Sequence, residues 1–138
     1  MIQRIQSVWL LLAAVFDAIT FRFPFYIGDW TKDTIPTPVD LNAQSTLWLT
    51  VLTVLTGVVA FVNVFLFGNR KLQLRLTYLG ILLSALLLVL YFLEIGNFTS
   101  GGIALWCLSY FAIFLFYLLA ARGIIADQKL LKSLDRLR

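Results

Sequence analysis

The sequence predicts an all-α integral membrane protein, a four-helix bundle with both termini in the cytoplasm. Residues 45–67 contain no charged residue, and a helix of that length, at about 1.5 Å per residue, exceeds the roughly 30 Å hydrocarbon core of a bilayer. Hydrophobic residues make up 61% of the chain and charged residues 13%, about half the charged fraction of a soluble domain. The length of 138 residues suits one domain, so we expect a single membrane domain over residues 1–138.

The first predicted span covers about residues 5–23. It follows Arg4 and begins with the uncharged run Ile5–Phe16. A positive start before an apolar run resembles a secretory signal. However, no cleavage site of small residues follows, so we interpret the segment as an uncleaved helix. Asp17 lies in the outer half of this span and Arg22 lies near its outer end.

Residues 24–44 predict an outer loop, because proline, glycine and charged residues replace the apolar run. The motif TPVD at residues 37–40 has the form of a helix start, with a Thr cap, Pro at the first helical position and an acid shortly after it. We therefore expect the second helix to begin near Pro38, above the bilayer. Loops of this length are often functional, and the simplest interpretation is a partly ordered lid over the helix ends.

The rest of the chain predicts three further spans joined by short turns. The second span ends at the cationic turn of Arg70, Lys71 and Arg75, and residues 96–102 form a glycine-rich outer turn. Nine of the eleven Lys and Arg residues fall on segments that this order places inside, which predicts cytoplasmic termini. The basic excess thus indicates orientation and attraction to anionic lipid headgroups, and it argues against nucleic-acid binding. The further spans are 45–67, 76–94 and 103–121, followed by a cytoplasmic tail, 122–138.

The two ends of the chain carry a family resemblance. The opening residues MIQRIQSVWLLLAA and the closing residues LLKSLDRLR resemble those of a family of small four-span membrane proteins of Bacteroidetes, defined as a domain of unknown function. The resemblance implies a bacterial inner-membrane protein with four helices. It implies no activity, substrate or catalytic residue.

Four polar residues lie within or near the predicted spans: Asp17, Arg22, Asn63 and Glu94. A carboxylate at membrane depth costs roughly 2.5–3.5 kcal/mol, and such a group usually faces the interior of a bundle or marks a pathway. We expect Arg22 to pair with Glu94 across spans one and three, with Asp17 facing Thr or Tyr hydroxyls. Snorkelling of these side chains to the headgroups and an ion or proton route are the alternatives.

Small side chains follow one edge of the second span and predict a helix-packing seam. They recur at intervals of four and three residues, which allows close approach of helices in lipid. Asn63 lies beside the same edge and can donate a hydrogen bond across it. A tight contact inside the bundle is the simplest interpretation, and a pore lining or a dimer interface are alternatives. The seam comprises Thr46, Thr50, Thr53, Gly57 and Ala60.

The tail predicts a short basic amphipathic helix. Leu130 and Leu134 share one face, and Lys129, Lys132 and Arg136 occupy the other. Such a helix suits an anionic membrane surface or a cytoplasmic protein partner.

Aromatic residues recur at helical spacing in the fourth span, at Trp106, Tyr110, Phe114 and Tyr117. A stripe of this kind packs against lipid or against neighbouring helices. Alternatively, it stacks on a bound quinone or pigment.

The chain has no histidine and a single cysteine, Cys107, which removes the usual proton shuttle and any cysteine cluster. We find no nucleophile–base pair or nucleotide motif, so the sequence predicts neither an enzyme nor a cofactor. The leading hypothesis is an accessory, scaffold or assembly subunit that binds a membrane protein partner or a second copy of itself. The alternative is a small oligomeric transporter or channel using Asp17 and Asn63, and the third is a quinone- or pigment-binding subunit.

Overall fold

The structure, a computed structural model, describes residues 2–30 and 37–137, without the side chains of residues 2–4, 30 and 37. Helices account for most of it. By length and composition α2, α3 and α4 can each cross a membrane, whereas the apolar part of α1, Ile5–Ile19, is shorter. The elements are α1 (Ile2–Ile19), β1 (Tyr26–Trp30), β2 (Thr37–Leu41), α2 (Leu47–Phe65), α3 (Arg70–Ile95), β3 (Phe98–Ile103) and α4 (Cys107–Arg136).

Each helix packs against the next along the chain, and α1 also packs extensively against α4. The end of α1 meets the start of α4, because the Tyr110 hydroxyl donates to the carbonyl of Thr20 over 3.2 Å. At the opposite end, Gln6 of α1 lies against Gly123 of α4. Helices α1 and α4 are therefore antiparallel, and every helix has two helical neighbours.

The burial pattern of α2 is the reverse of that in a soluble protein. Its buried positions are mostly small or polar, and large apolar side chains point outward. Lipid solvates large apolar groups well, so in a membrane they face outward while small and polar residues pack helix against helix. The inward residues are Leu49, Thr53, Thr56, Ala60 and Asn63; the outward ones include Val51, Val54, Val58, Phe61 and Phe65.

The outer loop contains a β-hairpin, not the expected start of a helix. Residues 37–41 form β2, which pairs antiparallel with β1, and α2 begins only at Leu47. Pro38 and Asp40 are exposed and Leu41 is buried, the alternation of a strand with one covered face. Pro38 is tolerated because β2 is an edge strand, where the missing N–H group costs no ladder bond. Lys32 and Asp33 of the expected loop lie outside the described residues.

The glycine-rich turn between α3 and α4 is also a strand. β3 pairs antiparallel with β1, so the sheet has the order β2-β1-β3 and joins the two outer connections. Gly28 faces Gly101 in this pairing. A Cβ atom at Gly28 would collide with the carbonyl of Ser100, and Gly101 has a φ of +147°, so both positions require glycine.

Two helix boundaries differ from those expected. The cationic residues Arg70, Lys71 and Arg75 belong to α3, whose first turn is capped when the Asn69 side chain accepts from the N–H of Leu72 over 3.3 Å. The tail is not a separate short helix, because α4 continues without a break to Arg136.

The aromatic stripe of the fourth span is used in packing. Trp106 stacks on Phe23 with ring centroids 3.9 Å apart. Tyr110 and Tyr117 are buried in two separate apolar clusters, one beneath the sheet and one in the middle of the helices.

Candidate functional site

Asp17, in the last turn of α1, has the most buried carboxylate side chain in the described chain. Its side chain is 3% exposed. A Cβ atom at position 57 would lie 2.5 Å from the Asp17 Oδ2 atom, so Gly57 of α2 is the residue that makes room for the carboxylate. The seam predicted in α2 thus lies on a helix contact, with Thr53 and Ala60 buried on the same side.

The Asp17 side chain lines a small chamber to which all four helices contribute. Its volume is about 10 Å³, which is close to the space that one water-sized body needs. Hydroxyl groups dominate the polar part of the wall, as expected for Asp17. The lining residues are Asp17, Thr20, Thr53, Ser84, Leu87, Leu88, Tyr91, Tyr110 and Ile113.

Most hydroxyl hydrogens of this wall are directed to backbone carbonyls. Thr20 donates to the carbonyl of Asp17 over 2.6 Å, and Thr53 donates to that of Leu49 over 2.6 Å. Ser84 donates to the carbonyl of Ile81 over 3.0 Å. The Tyr110 hydroxyl donates to the carbonyl of Phe23 over 2.7 Å. The hydrogens of these hydroxyl groups are therefore already used in bonds within the protein.

Two polar atoms of the chamber lack a hydrogen-bond partner within the described part of the chain. They are the Oδ1 atom of Asp17 and the hydroxyl oxygen of Tyr91, and both are buried. Buried polar atoms are almost always satisfied in native proteins, so each such exception indicates strain, a function or a bound species.

Phe25, on the segment between α1 and β1, covers the two tyrosines of the chamber. Its side chain is fully buried, stacks on Tyr91 at 5.1 Å and meets Tyr110 edge-on at 5.0 Å. Its backbone N–H donates to Leu41 over 2.7 Å, and its carbonyl accepts from Ala104 over 3.1 Å. These two bonds fix Phe25 between the end of β2 and the residue after β3, in the apolar cluster that contains Tyr91 and Tyr110. The sequence contains twelve Phe residues and no local signal that distinguishes this one.

The expected ion pair between Arg22 and Glu94 is not formed. Arg22 lies exposed in the turn after α1, and Glu94 accepts instead from the Asn97 side chain over 3.1 Å. The two side chains do not meet because α1 ends at Ile19, before Arg22, and the Arg22 side chain is exposed. Within the described residues an ion pair forms instead between Arg70, at the start of α3, and Asp127, in the last third of α4. The Arg70 Nη2 atom lies 3.3 Å from the Asp127 Oδ2 atom.

Asn63 belongs to a different polar cluster from Asp17. Its side chain donates to the Thr77 hydroxyl over 2.8 Å, and the Gln73 side chain donates to the Asn63 carbonyl over 3.3 Å. Between the two clusters Tyr117 lies on Gly80 and donates to the carbonyl of Thr56. Asp17 and Asn63 therefore do not share one chamber.

The outer part of the seam interacts mainly with its own segment. The Thr50 hydroxyl contacts the carbonyls of Ala43 and Thr46, at 2.8 and 3.0 Å. The Thr46 hydroxyl oxygen is buried without a partner in the described chain. Only the part of the seam from Thr53 inward borders the chamber and the core.

The end of α4 extends beyond the packed helices. Asp127 is its last buried residue, and all residues from Lys129 to Leu137 are exposed. Leu134 is 54% exposed and Leu137 84%. Lys129, Lys132 and Arg136 line a surface groove with Leu137.

The described residues contain no group of three or more His, Cys, Asp or Glu that could hold a metal ion. A family model described as Domain of unknown function (DUF4293) matches residues 2–137. The chain therefore belongs to this family, which confirms the resemblance of its two ends to a family of unknown function. Among curated proteins and among solved structures no match was found.

Proposed function

We propose that this member of the family is a non-enzymatic protein of the bacterial inner membrane that serves as an accessory, scaffold or assembly subunit of a larger membrane complex. The observation that carries the proposal is the exposed end of α4. This helix has 30 residues and is about 45 Å long, which is longer than a hydrocarbon core of about 30 Å. Its last turns therefore reach into the cytoplasm in the proposed orientation.

The proposed architecture is a four-helix membrane bundle in which α1 is also a span. Helix α1 lies between α2 and α4 and packs against both, so it shares their depth. Its outward positions Ile5, Val8, Leu11 and Val15 are apolar and half exposed, as a lipid-facing side requires. The bias of Lys and Arg supports cytoplasmic termini.

Contacts at the inner end support a straight α4. The ion pair of Arg70 with Asp127 and the seating of Gln6 against Gly123 tie α4 to its neighbours. Since α4 is continuous past these ties, its end continues along the axis of the span. A helix in that direction cannot lay its leucines flat on the membrane surface, so a protein partner suits them better. Anionic headgroups remain the natural partners of the basic residues nearest the membrane.

The test compares two variants of the α4 end by native electrophoresis of membranes solubilised in mild detergent. Leu130→Ser with Leu134→Ser removes the apolar face and keeps the charges. We expect wild type to migrate in a larger assembly and this variant to migrate alone. Lys129→Gln with Lys132→Gln is the matched control and should keep most of the assembly. Wild-type protein migrating as a single chain would contradict the proposal. If the assembly contains only this chain, tagged and untagged copies will co-purify.

A transporter or channel is the second candidate, and the unpaired Asp17 in its chamber favours it. It ranks second because the chamber admits about one water-sized body and because Asn63 lies in a separate cluster. The test is proton and cation flux in liposomes, wild type beside Asp17→Asn, with the melting temperature followed on the same samples. Flux that is lost in Asp17→Asn at an unchanged melting temperature would replace the scaffold proposal with the transporter.

A further inference from the structure

We propose that a cleft between the outer ends of α1 and α4 binds a lipid-soluble quinone, a ring with carbonyl groups on an isoprenoid chain. This binding site goes beyond the scaffold role and does not depend on it, because the cleft lies at the start of α4 and the proposed partner surface lies at its other end. The lining residues are Phe16, Leu105, Trp106, Leu108, Ser109 and Ala112.

The cleft has the size and the lining of a small-molecule site. Its volume is about 300 Å³, and ligand sites are clefts of about 300–1,000 Å³ with mainly apolar and aromatic walls and few polar groups. Leu105 is 82% exposed and Leu108 66%, so the cleft opens toward lipid in the proposed architecture. None of the lining residues is charged, so the part of the ligand that enters the cleft is uncharged.

Ser109, in the first turn of α4, supplies the polar side chain of the lining. It is only 6% exposed, and its hydroxyl group makes no hydrogen bond within the described part of the chain. A buried hydroxyl group without a partner is costly. An acyl or isoprenoid chain alone offers it no acceptor, whereas the carbonyl oxygen of a quinone ring accepts a hydrogen bond from a serine hydroxyl.

Aromatic side chains from α1 and from the start of α4 border the cleft, and both are held in place by other rings. Trp106 stacks on Phe23 with ring centroids 3.9 Å apart, and the Phe16 centroid lies 5.2 Å from that of Phe116. Aromatic rings attract one another in offset and edge-on arrangements. Two fixed aromatic walls therefore favour a flat, rigid ring over a flexible chain, which loses more conformational freedom when it is bound.

The depth of the cleft also suits a quinone ring. Trp106 caps the start of α4, three residues after the end of β3, and tryptophan is enriched at the membrane–water interface. A ring beside Ser109 would lie just inside this level, with its chain directed along α4 into the hydrocarbon. A phospholipid would bring its phosphate group to the same level, but no Lys or Arg lines the cleft to receive it.

The experiment measures thermal unfolding of the purified chain, washed free of lipid in detergent, as a benzoquinone with two isoprenoid units is added. A ligand that binds the folded state raises its stability by mass action. For a chain of this size we expect the melting temperature to rise by about 3–6 °C at a tenfold excess of the quinone over its dissociation constant. The isoprenoid alcohol with the same chain should give less than half of this rise. No rise with the quinone, or an equal rise with the alcohol, would overturn the proposal.

Two variants locate the quinone in the cleft. Ala112→Leu fills the cleft with apolar volume and should weaken quinone binding at least tenfold. Ser109→Ala removes the hydroxyl group and should weaken binding about fivefold, the usual share of one hydrogen bond. Ala18→Leu, at an exposed position of α1 outside the lining, is the matched control and should bind the quinone as wild type does. Wild-type affinity in both Ala112→Leu and Ser109→Ala would overturn the site.

A competition measurement separates the quinone from an ordinary membrane lipid. A tenfold excess of a saturated phospholipid over the quinone should leave the quinone affinity of wild type unchanged. Displacement of the quinone would show that the cleft is a general lipid site and would overturn the proposal. If Ala112→Leu does not fold, Ser109→Ala decides the location, and wild-type affinity in that variant has the same meaning as in the pair.

Discussion

Gly80 should not tolerate even an alanine, because the ring of Tyr117 occupies the space that a Cβ atom would need. A Cβ atom built at Gly80 would lie 2.5 Å from Cζ and 2.6 Å from Cδ1 of Tyr117, and closer still to Cε1. The ring cannot move away easily. Its side chain is fully buried, and its hydroxyl donates to the carbonyl of Thr56 on α2.

The expected loss of stability in Gly80→Ala follows from three contributions. Overpacking of a filled interior costs about 1–3 kcal/mol. If the ring shifts, the hydrogen bond from Tyr117 to Thr56 weakens, which costs about 0.5–1.5 kcal/mol. Alanine is a better helix former than glycine by about 0.8–1.0 kcal/mol, which offsets part of the loss. We therefore expect Gly80→Ala to be destabilising by about 2 kcal/mol.

The assay is equilibrium unfolding of wild type and variants in one detergent, arranged as a double-mutant cycle. In a Tyr117→Leu background the same Gly80→Ala change should cost little, because the ring is gone. Tyr117→Phe should cost only about 1 kcal/mol, the share of the hydroxyl. Gly68→Ala is the outside control, since nothing lies within 4 Å of a Cβ atom there. If Gly80→Ala is as stable as wild type while Tyr117 is present, the ring does not lie on this glycine.

Two further predictions concern the outer sheet and the orientation of the chain. Gly28→Ala should push the Cβ atom into the carbonyl of Ser100 and raise amide hydrogen exchange in β3 at least tenfold. Gly102→Ala, with nothing within 4 Å, should not do so, and equal exchange in both variants would contradict the close approach of β1 and β3. In intact cells that carry Cys107→Ser, an impermeant thiol reagent should label Ser100→Cys and not Asn69→Cys. The opposite pattern would reverse the proposed orientation.

Hydropathy predicted the helical segments well, because long uncharged runs report directly on burial in lipid. It could not predict the sheet. The hydroxyl of Thr99 donates to the carbonyl of Asp29 over 3.1 Å, across 70 positions of the sequence, and no local pattern encodes a contact of that range. Residues 98–103 have the composition of a turn, yet their glycines are what allows β3 to approach β1. In a strand, the fit to neighbouring strands outweighs the intrinsic preference of the residues.

The surroundings of Asp17 could be predicted from the sequence in part. The interruption of an apolar run by Asp17 marks a buried polar group, and the expectation that it faces hydroxyls agrees with the structure. The pairing of Arg22 with Glu94 was wrong because α1 ends at Ile19, so Arg22 lies exposed in the following turn and not on the predicted span.

The helical glycines share a role that the small-residue pattern does not reveal. In three helices a glycine receives a polar side chain from another helix, and a Cβ atom there would collide with that side chain. In lipid, where apolar burial gives helices little reason to associate, such contacts fix which residues lie side by side. The seam of α2 was expected to bring two backbones together. Instead, the nearest atom to a Cβ atom built at Gly57 belongs to the Asp17 carboxylate, so the small residue in the helix contact makes room for a polar side chain. The three pairs are Gly57 with Asp17, Gly80 with Tyr117, and Gly123 with Gln6.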